Sequence, residues 1–497
     1  MQDLTTRLIT TLLTGCAAAQ VPGFVTTTAW PLVTHFPFLV DLDNDGQPEV
    51  LDPWVLLFAQ PGVTLSYRRL LGNGEWAPGS SFTSLAFAQF TGHVVRAAGD
   101  ANGDGNPDVY VNRTIGGQGA PGPGANPFRD LLWLGDGAGN LTDGSHLLPP
   151  TMTNAQDAEF ADFDGDGDLD LVICDVAGLL LWINDGSGAF SDQSFRIPNN
   201  TTYVPWRCAV FDADHDGDLD VLVSNGYGTF QPTVLYENGG NAWFRAHLQT
   251  QAVSRIADLH LVDADSDGHD DVVAVYPTQT TVFVSRPNQT QMTLAPQLLP
   301  PIPTGTEPYY CFVIDVDGDG DRDLVVERYG GNTFEYWHNT GSGFVVTPNV
   351  LPPTTAVRYV IDFDHDGDED IYGSVVGVNS LVWLSNTSRE FVRVTDPVRG
   401  AMFTHDVYAR ANDLVAVGIS THYLRQPFGS LGLLYLDPAQ SATIALLTFP
   451  TRGRQTVSVA IPNLPWLVGQ ELCVQGVDVD LATGTMHLTN APAATVQ

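Results

Sequence analysis

Seven short stretches of this chain carry oxygen-bearing side chains at spacings that suit one hard cation each. The clearest is Asp162-Phe163-Asp164-Gly165-Asp166-Gly167-Asp168-Leu169-Asp170, and the other copies start at Asp41, Asp100, Asp212, Asp263, Asp315 and Asp362. Positions 1, 3, 5 and 9 supply the oxygens. In chain order they are Asp41, Asp43, Asp45 and Glu49; Asp100, Asn102, Asp104 and Asp108; Asp162, Asp164, Asp166 and Asp170; and Asp212, Asp214, Asp216 and Asp220. The last three sets are Asp263, Asp265, Asp267 and Asp271; Asp315, Asp317, Asp319 and Asp323; and Asp362, Asp364, Asp366 and Asp370. Oxygens at alternate positions of a tight loop close around a cation such as calcium, and Gly at position 6 permits a turn that a Cβ would resist. An EF-hand is excluded, because position 12 holds Asp52, Val111, Ile173, Val223, Ala274, Val326 and Gly373 instead of a bidentate Glu. Any one copy also reads as a solvated acidic turn; seven copies do not.

The elements that must position these loops are short and rich in β-branched residues, as in Val313-Ile314 before a loop and Leu171-Val172-Ile173 or Val221-Leu222-Val223 after one. They read as buried strands, so each loop joins two strands. The copies recur at intervals of 59, 62, 50, 51, 52 and 47 residues, which suits one four-stranded unit each. A second signature follows, best seen in Leu181-Trp182-Ile183-Asn184-Asp185-Gly186-Ser187-Gly188-Ala189-Phe190, with counterparts at 133–141, 236–244, 337–344 and 383–391. It predicts a third strand, a Gly/Asn turn and a fourth strand, with the aromatics packing between units.

These residues resemble the FG-GAP or VCBS repeat proteins, whose calcium loops lie in the propellers of integrin α-chains and of some fungal lectins. The resemblance spans about residues 30 to 397. It implies that side chains 1, 3, 5 and 9 and the carbonyl of residue 7 hold calcium, in a loop between the first and second strands of a blade. The expected fold is all-β: a seven-bladed β-propeller over residues 20–397 with up to seven structural calcium ions, then a small β-sandwich over 400–497. Phe24-Val25-Thr26-Thr27-Thr28 precedes the first blade and is expected to pair with the last as a closing strand. The β-sandwich is expected from alternating or apolar runs such as 413–417, 431–436, 456–461 and 471–477.

Formal charge is −36, and 33 of the 57 acids lie in the seven loops. Seven divalent ions would leave about −22, still acidic, which disfavours nucleic acid and anionic membrane. Two carboxylates about 5 Å apart repel by roughly 3 kcal/mol at an effective dielectric of 20, so the loops need their cation to fold. Extracellular calcium fills modules of such affinity, which favours secretion. Residues 1–19 resemble a secretory signal cleaved after Ala19; the competing reading is a lipobox, Leu13-Thr14-Gly15-Cys16, acylated at Cys16. The expected protein is extracellular or at the cell surface, a monomer, with no transmembrane segment. Its five cysteines, Cys16, Cys174, Cys208, Cys311 and Cys473, show no paired spacing and read as buried free thiols.

Every basic residue is Arg, which excludes lysine chemistry, and no GxSxG, HExxH or Walker loop occurs. His215, His269 and His365 fall at loop positions 4, 7 and 4, where the resemblance implies variable residues or a backbone carbonyl, and are expected to face solvent. The resemblance implies a face away from the calcium loops, formed by uneven connections that carry Tyr203, Trp206, Tyr227, Phe230, Tyr309, Arg328 and Tyr329. Rings beside Arg and Asn suit a sugar, and cover for blade ends is the other reading. The expected function is non-catalytic binding of an extracellular glycan or protein. The alternatives are a propeller-type polysaccharide lyase or hydrolase, drawing on Tyr203, Tyr309, Tyr329, Arg328 and His93, and a purely structural surface protein.

Overall fold

The apolar run after each acidic loop becomes a strand buried on both faces. The computed structural model describes residues 24–30, 38–44, 49–51, 63–70, 76–84, 91–115, 130–151, 153–198, 203–226, 230–254, 258–275, 280–302, 308–316, 321–328, 334–348, 351, 354–362, 369–375, 381–386, 391–393, 397–409, 413–421, 423–427, 433–436, 441–449, 453–468, 470–481, 486–488 and 493–496. Among these, Asp170–Asp175, Asp220–Asn225 and Asp271–Val275 are buried at every position. A strand covered on both sides needs apolar side chains in succession instead of alternation, which is the pattern of these segments.

Seven four-stranded antiparallel sheets follow one another along the described residues, spanning 38–84, 91–143, 155–192, 205–254, 258–294, 308–347 and 354–386. The third shows the plan: Ala155–Ala161, Asp170–Asp175, Gly178–Asn184 and Phe190–Asp192 pair in chain order, with an acidic loop between the first two strands. The seventh takes its fourth strand from the other end of the repeat region. Phe24–Trp30 pairs with Leu381–Asn386, Phe24 opposite Asn386 and Trp30 opposite Leu381. Phe391, read from sequence as part of the last repeat's fourth strand, instead belongs to Phe391–Arg393, which pairs with Met402–Ala409 of the C-terminal region. The edge that Phe391 was expected to cover is already taken by Phe24–Trp30.

First strands of successive sheets lie side by side: Phe38–Val40 by Thr91–Gly99, then Ala155–Ala161, Pro205–Phe211, Asp258–Val262, Pro308–Ile314 and Thr354–Ile361. An apolar cluster fills each of the six junctions between neighbouring sheets. Alternation along a strand divides its side chains between two of them. Leu171 and Ile173 join the cluster shared with the second sheet, Val172 and Cys174 that shared with the fourth. Gly99 marks a close approach at one junction. A Cβ on Gly99 would lie 2.8 Å from Leu169 Cδ1, the residue at loop position 8 of the next sheet. Cys174, Cys208, Cys311 and Cys473 are buried free thiols, while Cys16 lies outside the described residues.

Beyond the repeats, Ser441–Phe449, Asp413–Ser420 and Glu471–Asp480 form one sheet, with Met486–Leu488 and Ala493–Thr495 both paired to Glu471–Asp480. Phe391–Arg393, Met402–Ala409 and Gly453–Ala460 form a second sheet, and Phe403, Val407, Val415, Leu447, Val457 and Val474 share one core. No helix among the described residues is long and apolar enough to cross a membrane.

Trp182 is fully buried, with its ring edge-on to Tyr110 of the second sheet at 6.1 Å. Trp182→Ala should cost about 3–5 kcal/mol of stability, measured by denaturant unfolding of the calcium-loaded chain. A cost under about 1 kcal/mol would mean that the junction cluster is not a core.

Candidate metal centre

The ninth residue of each loop organises the site. Glu49, Asp108, Asp170, Asp220, Asp271, Asp323 and Asp370 are all buried, although they are acids. One oxygen reaches back within the loop: Asp170 Oδ2 accepts from Phe163 N at 3.1 Å, Asp220 Oδ2 from Ala213 N at 3.0 Å, and Glu49 Oε2 from Leu42 N at 2.7 Å. The other reaches forward to the third strand: Asp170 Oδ1 accepts from Asn184 N at 2.9 Å, Asp271 Oδ1 from Ser285 N at 2.9 Å, and Asp370 Oδ1 from Asn386 N at 2.7 Å. A carboxylate has about four lone-pair sites, so two amides leave oxygen capacity for a cation.

The third strand then reaches into the preceding sheet. Asn184 Nδ2 donates to Ala101 O at 2.6 Å, Asn238 Nδ2 to Phe163 O at 2.8 Å, Asn339 Nδ2 to Asp263 O at 3.0 Å and Asn386 Nδ2 to Val316 O at 2.9 Å. Where the Asn is replaced, a turn amide serves: Gly139 N donates to Leu42 O and Asn288 N to Asp214 O. All six junctions are therefore tied at a loop carbonyl.

Position 1 folds the loop around itself. Asp212 accepts from Asp216 N and Gly217 N, and Asp263 from Asp267 N and Gly268 N, all within 3.1 Å. Position 6 is left-handed as the glycine pattern predicts, with φ of +94° at Gly167 and +96° at Gly217. Position 4 is left-handed too, at Asn44, Gly103, Gly165, His215 and Ser266. Sequence reading had treated it as variable; Gly, Asn and His are among the residues that tolerate this region.

Carboxylate oxygens of positions 1, 3 and 9 converge within 4.8 Å in four loops: Asp41, Asp43 and Glu49; Asp162, Asp164 and Asp170; Asp212, Asp214 and Asp220; Asp263, Asp265 and Asp271. Oδ1 of Asp164, Asp214 and Asp265 is buried without a hydrogen bond. An oxygen so placed, among like charges and out of water, fits a cation and little else. Burial and then the neighbouring carboxylates push Asp164 and Asp214 up from the usual carboxylate range. Burial also pushes Asp108 up to about 6 and Asp170, Asp220 and Asp271 up to about 7, against the pull of their amide donors. An oxygen-only donor set of this kind suits a hard divalent ion.

Other positions differ from expectation. Position 5 stays outside the tight groups of loops 3, 4 and 5; there and in loop 2, Asp166, Asp216, Asp267 and Asp104 are exposed, and each accepts the amide two residues on. Asn102 turns its amide to Asp104 at 3.1 Å, so loop 2 is partly satisfied from within. In loop 5 Arg286 pairs with Asp265 Oδ2 at 2.5 Å and Asp267 Oδ2 at 3.0 Å, a fixed positive charge no sequence pattern signalled. Asp315 and Asp323 of loop 6 and Asp362 and Asp370 of loop 7 are described, whereas Asp45, Asp317, Asp319, Asp364 and Asp366 lie outside the described residues. His215 was expected to face solvent. Instead it stacks on His269 at 3.5 Å and bonds Ser285 Oγ at 3.0 Å, because loops 4 and 5 adjoin.

Of the residues proposed for a ligand face, Tyr203 packs against the cluster between the third and fourth sheets, and Trp206 is half-buried on Pro205–Phe211. Arg328 is buried, ion-paired to Glu335 at 2.7 Å and 5.5 Å from the Trp337 ring centroid. Phe230 and Tyr309 lie in strands, but their side chains, like that of His93, are outside the described set, as are Tyr227, Tyr329 and His365.

Sequence reading missed a row of charged groups on adjoining first strands. Arg96 donates to Ala155 O and Gln156 O, Arg207 to Gln156 O at 3.1 Å, and Asp157 accepts from Cys208 N at 3.1 Å. Asp258 and His260 pair at 3.2 Å, and Asp258 also faces Arg207 at 3.8 Å. Glu159 is exposed on the same strand, and partial burial followed by the Asp157 carboxylate pushes its carboxyl up from the usual range.

Four stretches, residues 124–173, 169–223, 263–326 and 315–373, match the family model described as FG-GAP-like repeat. Residues 124–223 and 263–373 thus carry FG-GAP-like repeats. Each matched repeat ends three residues past the ninth position of a loop, at Ile173, Val223, Val326 and Gly373. Solved structures similar to this chain include an Agrocybe aegerita lectin that recognises non-reducing terminal N-acetylglucosamine, at 16% identity over 67% of this chain and 89% of that one, TM-score 0.44. Others are the Dos1 propeller, at 13% identity over 69% and 81%, TM-score 0.39, and the exotype rhamnogalacturonan lyase YesX, at 12% over 83% and 89%, TM-score 0.34. No curated protein matches the chain by sequence.

The raised ninth carboxyls give a signed expectation. At about pH 6 the cation-free fold keeps protons there that the unfolded chain has lost, and the stability this confers is lost as pH rises towards 7. A cation entering the loops must displace those protons. Calcium added to weakly buffered, metal-free protein should therefore release protons at about pH 6, with release fading by about pH 8.5. Uptake without proton release at pH 6 would show that the ninth residues do not face the ion.

Proposed function

We propose that this chain is a secreted, calcium-stabilised seven-bladed β-propeller with a small C-terminal β-sandwich, acting as a non-catalytic module that binds an extracellular glycan or protein. The observation that carries this reading is the commitment of the loop carboxylates. Paired acids elsewhere suggest hydrolysis, but here each ninth residue accepts backbone amides and the triads converge on a cation position, which removes them from acid–base work. Pairing of Phe24–Trp30 with the last repeat supports closure of the ring. Calcium in each of the seven loops, and export directed by residues 1–19 or anchoring through Cys16, complete the proposal.

One observation favours an enzyme as the second reading. Glu159, its carboxyl raised from the usual range, is exposed beside Asp157 on a strand that adjoins those of Arg96 and Arg207. A carboxyl raised by a like-charged neighbour is a candidate for general acid–base catalysis.

A glycan array probed with calcium-loaded protein lacking residues 1–19, alongside a turnover assay on uronate-containing and neutral polysaccharides, separates the readings. Reproducible binding without turnover is expected. Turnover abolished by Glu159→Gln would replace the binding module with an enzyme, and a blank array with no turnover would leave protein recognition or a structural surface role.

A further inference from the structure

The turn between third and fourth strands and the 3-10 turn after the fourth strand recur from sheet to sheet with small or polar residues at their tips. Asn140 and Ala189 occupy the last turn position in the second and third sheets, and His146 and Gln297 the middle of the 3-10 turn in the second and fifth. At the junction of the third and fourth sheets these positions become aromatic. Trp243 is 54% exposed and Phe195 is 70% exposed. Their rings meet edge-on at 5.8 Å, and the Arg196 guanidinium lies 5.9 Å from the Trp243 centroid.

The backbone beneath this group is fixed. Gly239 N donates to Trp243 O at 2.8 Å, Ala242 N to Phe163 O at 3.0 Å, and Arg196 Nη1 to Asn241 O at 3.1 Å. Neither ring belongs to a core cluster, and the neighbouring residue Phe244 already fills that role. The sister repeats form the same turns without aromatics, so the fold does not require them.

We propose that Trp243, Phe195 and Arg196 form a subsite for one neutral pyranose residue of a glycan chain. The sugar's apolar face lies on the Trp243 ring, Phe195 borders it, and Arg196 donates to a hydroxyl. Two side chains are far too small a patch for a stable protein interface, which needs about 800 Å² per partner. A formal charge of −36, still about −22 with seven divalent ions bound, repels anionic polysaccharides and leaves neutral ones. The proposal rests on the glycan arm of the function proposed above.

Laminarin, galactomannan, xylan and chitin oligosaccharides titrated into the calcium-loaded full chain provide the test. Trp243→Ala and Phe195→Ala should each weaken the strongest-binding oligosaccharide about tenfold or more. Trp243→Phe should retain most of the affinity. Trp466→Ala, which removes an exposed ring of the C-terminal region, should leave it unchanged. Should Trp243→Ala fail to fold, Phe195→Ser and Arg196→Gln carry the same comparison. Oligosaccharide binding that all these variants retain would overturn this subsite while leaving glycan binding intact. Absence of binding to any of the four by the unaltered chain would overturn both.

Discussion

A carboxylate held out of water at the end of each loop is the constraint on which the repeats depend. Asp170 has no exposure, yet it binds Phe163 N behind it and Asn184 N ahead of it. Through Asn184 the same residue is linked to Ala101 O of the preceding sheet. Loop closure, placement of the third strand and docking of the neighbour thus share one buried acid. Two amides offset only part of its desolvation, and the carboxylates of Asp162 and Asp164 crowd it further. A cation at that point would turn mutual repulsion into attraction, and the acidic loops would then fasten the structure instead of weakening it.

The same reasoning explains the charged row on the first strands. Each sheet begins with an edge strand whose outward backbone groups find no strand partner. Arg96 and Arg207 from either side converge on the carbonyls of Ala155 and Gln156, and Asp157 takes the amide of Cys208. At the later junction Glu369 takes the amide of Asp315 and pairs with Arg322. The repeats therefore meet through apolar clusters in their middle and through side-chain clamps on exposed edges.

Much of this was legible in the sequence, because a nine-residue motif and the apolar run after it are local signals. They located the loops, the strands flanking them and the third-strand signature around Trp182 and Trp337, both fully buried. What was not legible depends on partners distant in sequence. Nothing local marks Asn184 as the partner of Ala101, 83 residues away, or places Arg286 against Asp265. Phe391 was misassigned because its run looks like a fourth strand, while the edge is occupied by residues 24–30. Trp243 was read with Phe244 as packing; successive residues at a strand start point to opposite sides, so one is buried and the other exposed.

Thermal unfolding of the metal-free chain, with and without millimolar calcium, tests the central claim most directly. If buried carboxylates converging on a cation fasten the repeats, removal of calcium lowers the melting temperature by tens of degrees, and its return restores the transition. Superimposable melts in the two conditions would contradict the account.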